Sequence, residues 1–451
     1  MSRVLALSFD PLTDRMPGPA IRAWNLALQL APDHEVVLAG TAGATRDHPA
    51  MTVRAATGPE LDALVDGADV VVAPSSVVRR HPAVTARPLC IDMYVPAHLE
   101  NLEARGAIGP THDAEVAHQV AVINDDLRSG DFFLCASERQ RDFWMGSLAS
   151  LGRVNPATYA DDPSLRSLID VVPFGIDTDP SPSRDRSALR AAFPVIGPED
   201  PVVVWGGGVY NWFDPESLVQ AVDRLRRDRP SVRLVFLGMR HPNPEIPEMR
   251  VATELRATCR RLGLEGSTVL FNDGWIPYDE RGAYLAGADV GVSTHLPHIE
   301  TRFSFRTRVL DYLWAGLPTV LTEGDTLSAE IAAAGIGAAV PPGDSAAIAA
   351  AIDAMLARPP SRRLITAFGS RYAWSAVCDP LRDYVARPRR AADWVASRRA
   401  GSEGIGVPGA PGSPAAAPPV ADDLAHVASE VRRLAARIGK GAAQRAKGRL
   451  R

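Results

Sequence analysis

Residues 288–321 are the part of the sequence that most restricts the fold. The apolar run 288–292 predicts a buried strand, and apolar side chains then repeat at helical spacing over 305–313. We expect Ser304 to cap that helix and Gly316 to end it, before a second strand begins. A strand, a helix and a further strand in succession predict a parallel sheet with helices on its faces.

The loop that joins this strand to this helix is dense in charged side chains. Glu300 and Arg302 lie in the loop, and Arg306 and Arg308 follow at the start of the helix. The N-terminus of a helix presents free backbone N–H groups and the positive end of its dipole, so it attracts anions. A helix start with three arginines beside it therefore predicts a binding site for a phosphate-like group.

The same stretch resembles the C-terminal signature of retaining, GT-B-fold glycosyltransferases of the family-four (group 1) type. In that family one acidic residue precedes the helix, and a second lies within it, shortly before a small-Gly-Leu-Pro turn. Glu300 and Asp311 resemble these two acids. The resemblance implies that Glu300 contacts the transferred sugar as a catalytic residue and that Asp311 binds the ribose of the donor nucleotide. Each acid also fits an exposed carboxylate without a ligand.

The resemblance covers about residues 3–385 and implies an α/β fold, GT-B, in which two Rossmann-like domains face a cleft. The second domain would hold a nucleotide-sugar donor and the first an acceptor, and the sugar would be transferred with retention of configuration. The expected boundaries are 1–180 for the first domain and 198–370 for the second, with a crossover helix at 371–390.

The N-terminal half alternates strand-like apolar runs with helical segments, as an open parallel sheet requires. The first run leads through a Pro/Gly loop into a helix, an order that builds a ligand crevice at the carboxyl edge of a sheet. Gly18 lies where family members have a glycine-rich loop, and Arg22 follows on the helix, where it faces either the crevice or solvent. We predict that both line the acceptor side of the cleft.

A second polar cluster follows the strand that is predicted to end near residue 92. Asp92, Tyr94, His98 and Glu100 all fall at or after that strand end. Relatives carry His or Asp near this point, beside the reacting sugar, so Asp92 and Tyr94 are predicted as catalytic residues. His98 is predicted to lie in the acceptor part of the cleft, although a surface helix position also fits it.

A glycine-rich turn, residues 206–208, follows the first strand of the second domain. Glycines let a backbone approach a phosphate closely, although a tight strand-to-helix turn also uses them. Family members carry Arg and Lys in this loop as a diphosphate clamp, and here Gly208 and Phe213 stand at those places. We expect the donor diphosphate to be bound instead by the turn and by other residues: Gly207, Gly208, Arg240, Arg302, Ser304 and Arg306.

The strand and turn at 269–277 resemble the family segment that holds the nucleotide base. Backbone groups read the edge of the base there, so Gly274, Trp275 and Ile276 are predicted to contact it. Trp275 fits a stacking platform and a core position equally well.

Composition excludes several other classes of protein. A net charge of −4 argues against nucleic acid as a partner, and no apolar run is long enough to cross a membrane. The four cysteines lack the spacing of metal ligands, so we expect neither a metal nor another cofactor. Free thiols and an N-terminus unlike a signal peptide favour the cytoplasm.

Residues 400–451 differ in composition from the rest of the chain. A Gly/Pro/Ala-rich segment at 400–420 predicts a flexible linker, and 421–451 combines an apolar heptad stripe with a basic second half. Three interpretations of this basic amphipathic helix stay open: self-association through a coiled coil, contact with an anionic membrane surface, and a solvated tail.

The sequence thus predicts a hexosyltransferase-type enzyme that moves a sugar from a nucleotide-diphosphate sugar to an acceptor. The acceptor would be a glycan, a lipid-linked glycan or a small molecule, as in bacterial polysaccharide biosynthesis. The expected location is the cytoplasm or the inner face of the plasma membrane. Two alternatives share the fold: a sugar-nucleotide epimerase, and a non-catalytic binding or scaffold subunit, which the missing clamp would suit.

Overall fold

The computed structural model describes residues 1–104, 110–177, 183–242 and 249–394 of the chain. The chain divides into a unit of residues 1–399 and a unit of residues 400–451. The predicted linker and the basic amphipathic helix belong to the second unit and lie outside the described residues. The first unit contains two parallel β-sheets, and we call each sheet with its helices a lobe.

The first lobe contains, within the described ranges, a sheet of seven parallel strands. In chain order they are β1 (Arg3–Ser8), β2 (Glu35–Gly40), β3 (Thr52–Ala55), β4 (Val70–Pro74), β5 (Leu89–Asp92), β6 (Phe132–Cys135) and β7 (Ile169–Val171). Their order across the sheet is β3-β2-β1-β4-β5-β6-β7. The helices are α1 (Gly18–Leu30), α2 (Gly58–Gly67), α3 (Val77–Arg80), α4 (Ala97–Ala104), α5 (Pro110–Ser129), α6 (Glu138–Ser150) and α7 (Pro156–Asp161).

The second lobe contains a sheet of six parallel strands, counted over the same described residues. They are β8 (Val202–Trp205), β9 (Arg233–Phe236), β10 (Val269–Phe271), β11 (Val290–Ser293), β12 (Thr319–Thr322) and β13 (Gly337–Val340), and they lie in the order β10-β9-β8-β11-β12-β13. The helices are α8 (Ser187–Ala192), α9 (Pro215–Leu225), α10 (Arg250–Arg261), α11 (Arg281–Ala286), α12 (Ile299–Phe303), α13 (Thr307–Trp314), α14 (Ser328–Ala333), α15 (Ser345–Ala357) and α16 (Arg362–Gly369).

Helices cover both faces of each sheet, which explains the continuous apolar runs of the inner strands. Every residue of β6 and of β8 is buried, as expected for a parallel sheet that is covered on both sides. The prediction of two Rossmann-like domains is confirmed by these two doubly wound sheets.

In each sheet the strand order reverses beside the first strand of its lobe. Strand β1 lies between β2 and β4, and β8 lies between β9 and β11. Ligands of open α/β sheets bind beyond the carboxyl ends of the strands at such a reversal. The loops that follow β1, β8 and β11 are therefore placed to build a binding site.

The last two helices, α17 (Trp374–Val377) and α18 (Asp379–Ala386), pack against the first lobe. The ring of Tyr384 stacks on that of Phe132 at 4.8 Å between centroids. The Ser2 hydroxyl donates a hydrogen bond to the carbonyl of Val385 at 2.9 Å. The chain thus returns from the second lobe to the first in the region where the crossover helix was predicted.

The helix that was predicted to begin at Ser304 begins later, so the prediction of Ser304 as its N-cap was wrong. A separate short helix, α12, occupies the predicted loop, and Ser304 stands at its C-terminal end. The Ser304 hydroxyl donates to the carbonyl of Thr301 at 3.0 Å, inside α12. Helix α13 starts at Thr307, and its N-cap residue is Arg306, which makes no side-chain cap.

Candidate active site

A cavity of about 420 Å³ lies where the two lobes meet. The first lobe contributes residues after β1 and β5, and the second lobe contributes the turn after β8, the turn after β10, α12 and the start of α13. These are the loops at the points where the strand order reverses.

The glycine-rich turn after β8 forms the floor on the second-lobe side. Gly207 has a φ of 84°, a left-handed conformation that favours glycine. A Cβ on Gly208 would approach the ring of Tyr210 to 2.8 Å. The N–H of Gly206 donates to the hydroxyl of Tyr312 at 2.7 Å, so a side chain of α13 fixes this turn.

Arg308, in the first turn of α13, is a buried cation beside that glycine turn. Its guanidinium stacks on the rings of Trp205 and Phe213, 4.2 and 4.1 Å from their centroids. Its Nη2 donates to the carbonyl of Gly208 at 2.7 Å. Its Nη1 is buried and has no hydrogen-bond partner among the described residues. Burial lowers the pKa of Arg308 to about 10, so the side chain stays charged at neutral pH.

Glu300 and Arg306 form a buried, two-pronged ion pair in the same wall. The guanidinium Nη1 and Nη2 of Arg306 donate to the two carboxylate oxygens of Glu300 at 2.9 and 2.6 Å. Glu300 is 1% exposed and Arg306 is 6% exposed. The predicted sugar contact and one predicted diphosphate cation are therefore bound to each other, and both line the cavity.

Asp311 lines the cavity together with Arg281, which the sequence analysis did not identify. The Nε of Arg281 donates to the Asp311 carboxylate at 3.2 Å, and its Nη2 donates to Asp177 at 2.7 Å. The guanidinium lies over the ring of Tyr278 at 3.8 Å. Burial raises the pKa of the Asp311 carboxyl, and the charge of Arg281 opposes this shift. Asp311 keeps 39% of its side chain exposed, so it remains open to a ligand.

The turn after β10 supplies an aromatic wall. Trp275 and Ile276 line the cavity, whereas Gly274 is not among its lining residues. The ring of Trp275 lies 5.8 Å from that of His241, centroid to centroid. Gly238 pairs with Trp275, and a Cβ there would come within 3.0 Å of the indole. Close backbone approach therefore holds the indole in place.

The first-lobe wall contains Gly18, as predicted, and the ring of Tyr94. It also contains two carboxyls, Asp10 and Glu100. Burial and then the charge of Glu300 raise the pKa of Glu100 to about 8, and the charge of Arg306 opposes them. Burial also raises the pKa of Asp10. This wall therefore presents carboxyls that hold protons more strongly than usual.

Arg22 and Asp92 were predicted in the cleft, but they lie behind its wall and bind each other. The Nη2 of Arg22 donates to Asp92 at 2.9 Å and to the carbonyl of Val172 at 2.8 Å. The Arg22 guanidinium lies 4.9 Å from the centroid of the Tyr94 ring. Neither residue lines the cavity. Their hydrogen bonds instead connect α1, the end of β5 and the end of β7, and the Arg22 guanidinium packs behind the ring of Tyr94.

Three further predicted residues also fall outside the cavity lining. His98 stacks on Phe143 at 5.6 Å between ring centroids, and burial lowers its pKa. Arg240 and Arg302 are exposed on the surface. Arg302 lies over the ring of Phe303 on the outer side of α12. Arg302 follows Glu300 by two positions on this short helix, so the two side chains lie on nearly opposite sides of it.

The structure also adds residues that the sequence analysis did not assign to a ligand: Asp10, Glu100, Tyr210, Trp212, Tyr278, Arg281 and, named there only as one of the arginines at the helix start, Arg308. Arg308 had a signal, since it belongs to the arginines at the helix start. Glu100 had a weaker one, as a polar residue after a strand end. Arg281 had none, because it follows a short turn far along the chain from its partners Asp177 and Asp311.

No group of three or more His, Cys, Asp or Glu side chains among the described residues is placed to hold a metal ion. No helix in the described part of the chain is both long enough and apolar enough to cross a bilayer.

Two doubly wound lobes around a cavity that combines a glycine turn, buried arginines and carboxylates define a class of protein, the GT-B fold. Residues 200–358 match the family model described as Glycosyl transferases group 1. The match lies within the second lobe.

One curated relative is a glycosyltransferase. The chain is 27% identical over 227 residues to the D-inositol 3-phosphate glycosyltransferase of Segniliparus rotundus. The alignment covers 49% of this chain and 47% of that protein. The chain thus matches about half the length of this relative.

Solved structures of low sequence identity share the fold. The Anabaena protein HepE, solved in complex with UDP-glucose, has a TM-score of 0.59 and 17% identity, with 86% of this chain and 98% of that chain covered. The sucrose-phosphate synthase of Thermosynechococcus elongatus has a TM-score of 0.55 and 14% identity, with 89% and 98% covered. WaaG, a glycosyltransferase involved in lipopolysaccharide biosynthesis, has a TM-score of 0.54 and 16% identity, with 89% and 100% covered.

Proposed function

We propose that this protein is a glycosyltransferase that moves a hexosyl group from a nucleotide-diphosphate sugar to an acceptor hydroxyl, with retention of configuration. The observation that carries the proposal is Arg308, a buried guanidinium with a free Nη1, beside a glycine turn and the start of α13. The group 1 domain match and the UDP-glucose complex of a structural neighbour support it.

The departing diphosphate needs positive charge that is already in place when the sugar–phosphate bond breaks. Fixed donors in a site that excludes water stabilise such developing charge more than mobile ones do. Arg308 is held by two aromatic rings, and the N-terminus of α13 lies beside it. In the proposed reaction these groups, with the N–H groups of Gly207 and Gly208, bind the diphosphate, and no metal ion takes part.

The other second-lobe residues are assigned by their position in the same wall. Asp311 binds the ribose hydroxyls, and Trp275 and Ile276 contact the base. Glu300 accepts hydrogen bonds from hydroxyls of the transferred sugar, in an orientation fixed by Arg306. Because both terminal nitrogens of Arg306 bind Glu300, whereas Nη1 of Arg308 has no hydrogen-bond partner among the described residues, we assign the main diphosphate contact to Arg308 rather than to Arg306.

The acceptor is proposed to be a glycan, a lipid-linked glycan or a small polyol, as in bacterial polysaccharide biosynthesis in the cytoplasm. The basic helix predicted at 421–451 would attach the enzyme peripherally to an anionic membrane or join two copies. Deletion of 401–451 is then expected to reduce co-sedimentation with anionic vesicles in a salt-dependent way, or to halve the molar mass in solution. A truncated protein that matches the full chain in both measurements would contradict both roles.

The proposed function is tested by melting the protein with UDP, GDP, dTDP and ADP sugars and then following the best ligand by NMR. A glycosyltransferase raises its melting temperature with one nucleotide class and releases the nucleoside diphosphate. Recovery of an epimerised nucleotide sugar would favour the epimerase, and binding without turnover of any kind would favour a scaffold subunit. Absence of any stabilisation by the four classes would overturn the proposal.

A further inference from the structure

A second cavity, also of about 420 Å³, lies at the other edge of the second-lobe sheet from the candidate active site. Its lining includes Pro201, Asp289 and Pro318, which stand directly before β8, β11 and β12. The candidate active site is lined instead by residues that follow β8 and β11. Parallel strands all start at one edge of a sheet, and strands of four residues separate the two edges by ~13 Å. The two cavities are therefore distinct.

Arginines are concentrated in this second cavity, which we call the arginine cavity. Three separate segments contribute them, before α8, after α9 and at the start of α16: Arg184, Arg186, Arg229 and Arg362. Two acids, Glu199 and Asp289, also line the cavity in the described part of the chain. Glu199 is exposed, so solvent and salt screen its charge. Asp289 is therefore the main negative charge inside the arginine cavity.

The carboxylate of Asp289 is shared by two of these arginines. Arg184 and Arg186 both donate to its Oδ1, and its Oδ2 accepts a hydrogen bond from the N–H of Val202 at 2.9 Å. The side chain of Asp289 is 12% exposed, whereas that of Arg184 keeps 58% of its surface exposed. One carboxylate charge thus faces two guanidinium charges, and one of those guanidinium groups remains accessible.

Arg362 adds a further cation to this pair. Its side chain packs over Gly316, which has a φ of 66°, and a Cβ on that glycine would clash with it. Burial and then the charge of Arg184 lower the pKa of Arg362, so the two like charges act on each other. Arg229 has a partner of its own in Asp353, outside the lining. The excess positive charge therefore comes from the other three arginines, and a bound anion would relieve their repulsion.

The shape and chemistry of the arginine cavity restrict the class of anion. Its volume lies within the range of small-molecule pockets, about 300–1,000 Å³, and apolar side chains such as Leu317, Met355 and Leu356 form much of the rest of its lining. Guanidinium groups bind phosphate oxygens in pairs. A phosphate monoester carries a charge of about −1.5 to −2 and three acceptor oxygens, which suits several arginines better than a single carboxylate does.

We propose that the arginine cavity binds a small organic phosphate monoester, with the phosphate group held by Arg184, Arg186 and Arg362 and the organic part against the apolar lining. This site is separate from the one that the proposed function uses and does not depend on that function. The ligand binds without any covalent change.

Isothermal titration of the full chain with phenyl phosphate tests the proposal. Phenyl phosphate is expected to bind about 10-fold more tightly than inorganic phosphate, because the apolar lining buries its ring. It should also bind about 10-fold more tightly than benzoate, which carries less charge. Arg184→Gln and Arg362→Met should each weaken the binding of phenyl phosphate about 10-fold, because each removes donors to a charged group. Methionine keeps an unbranched chain over Gly316.

Two further variants show where phenyl phosphate binds. Arg363→Met is the matched control, because it removes an exposed arginine next to Arg362 that lies outside the lining, and it should keep the affinity. Arg308→Met should keep it as well, because Arg308 belongs to the candidate active site.

Several results would overturn the proposal. Absence of binding at about 10 mM phenyl phosphate would do so, and so would equal affinities for phenyl phosphate and either inorganic phosphate or benzoate. A loss of affinity in Arg308→Met without a loss in Arg184→Gln would place the phosphate in the candidate active site. Arg184 is largely exposed, so Arg184→Gln decides the outcome even where Arg362→Met fails to fold.

Discussion

The two walls of the cavity between the lobes differ in how their charged side chains are paired. In the second-lobe wall the charged side chains are held by one another or by aromatic rings: Arg308 stacks on two rings, Arg306 binds Glu300, and Arg281 binds Asp311. In the first-lobe wall, Asp10 and Glu100 have no ion pair within the described residues, and burial raises the pKa of both. The charged side chains of the second-lobe wall are therefore held by contacts before any ligand binds, whereas the two carboxyls of the first-lobe wall are not held by ion pairs.

This difference matches two different tasks. A diphosphate leaving group has the same charge whatever the acceptor, so its site gains from groups that are fixed in advance. An acceptor hydroxyl has no charge, so its site does not need a cation that is fixed in advance. Four single substitutions test this contrast between the walls.

Glu300→Gln tests whether the second-lobe wall takes part in the proposed reaction. Turnover is expected to fall about 1000-fold because the sugar contact is lost, while the affinity for a bare nucleoside diphosphate changes little. The free energy of unfolding should fall by about 3 kcal/mol, since Arg306 would remain buried without its partner. Steady-state kinetics and urea unfolding check these values. Equal losses of turnover and of nucleotide affinity would show that Glu300 is only structural.

Arg308→Met tests whether this side chain is the cation for the diphosphate. We expect the affinity for the nucleoside diphosphate to fall about 100-fold, or about 3 kcal/mol, and the affinity for the matching nucleoside to stay unchanged. Isothermal titration with both ligands measures the difference. Arg302→Met is the matched control, because it removes an exposed arginine nearby in the sequence that lies outside the cavity lining. A loss shared by nucleoside and nucleoside diphosphate would point to a collapsed site.

Asp311→Ala separates ribose binding from phosphate binding within the same wall. The affinity is expected to fall about 10-fold for the nucleoside and the nucleoside diphosphate alike, because a lost hydrogen bond to a charged group is worth about 1.5 kcal/mol or more. Arg281 keeps Asp177 as its partner, so the melting temperature should change little. Unchanged affinity for both ligands in the same titrations would contradict the assignment.

The second-lobe half of the site was more predictable from sequence than the first-lobe half. Glu300, Arg306 and Asp311 lie close together in the sequence, and with the glycine turn they line the cavity, so their spacing along the chain was informative. The two-lobed fold was predictable for a similar reason, since buried parallel strands give continuous apolar runs. Tyr94 and Gly18 were found because each follows a strand end.

What could not be predicted depends on contacts between distant segments. Arg22 and Asp92 are far apart in the chain but bind each other, and spacing alone cannot show that a charge is already satisfied. The same holds for Arg281, whose partners Asp177 and Asp311 come from different segments. Burial and then the charge of Glu300 raise the pKa of Glu100, and Glu300 comes from the other lobe.

Glu100→Gln is expected to give the smallest effect, a gain in stability that grows with pH. Folding raises the pKa of Glu100 from 4.5 to about 8, so the native state binds its proton more tightly than the unfolded chain does. The wild-type protein should therefore lose free energy of unfolding as the pH rises through the window between these two values. Glutamine carries no titratable proton, so the variant should escape this loss.

The gain should be about 1 kcal/mol near pH 8, less than the full shift implies, because partial exposure and local relaxation reduce the effect. Below about pH 4 both proteins carry a neutral side chain of the same size at this position, so their unfolding free energies should coincide. Urea unfolding at several pH values measures the difference, with Asp14→Asn as the exposed control. A constant difference at all pH values would show that Glu100 has an ordinary pKa, and the contrast between the two walls would then be lost.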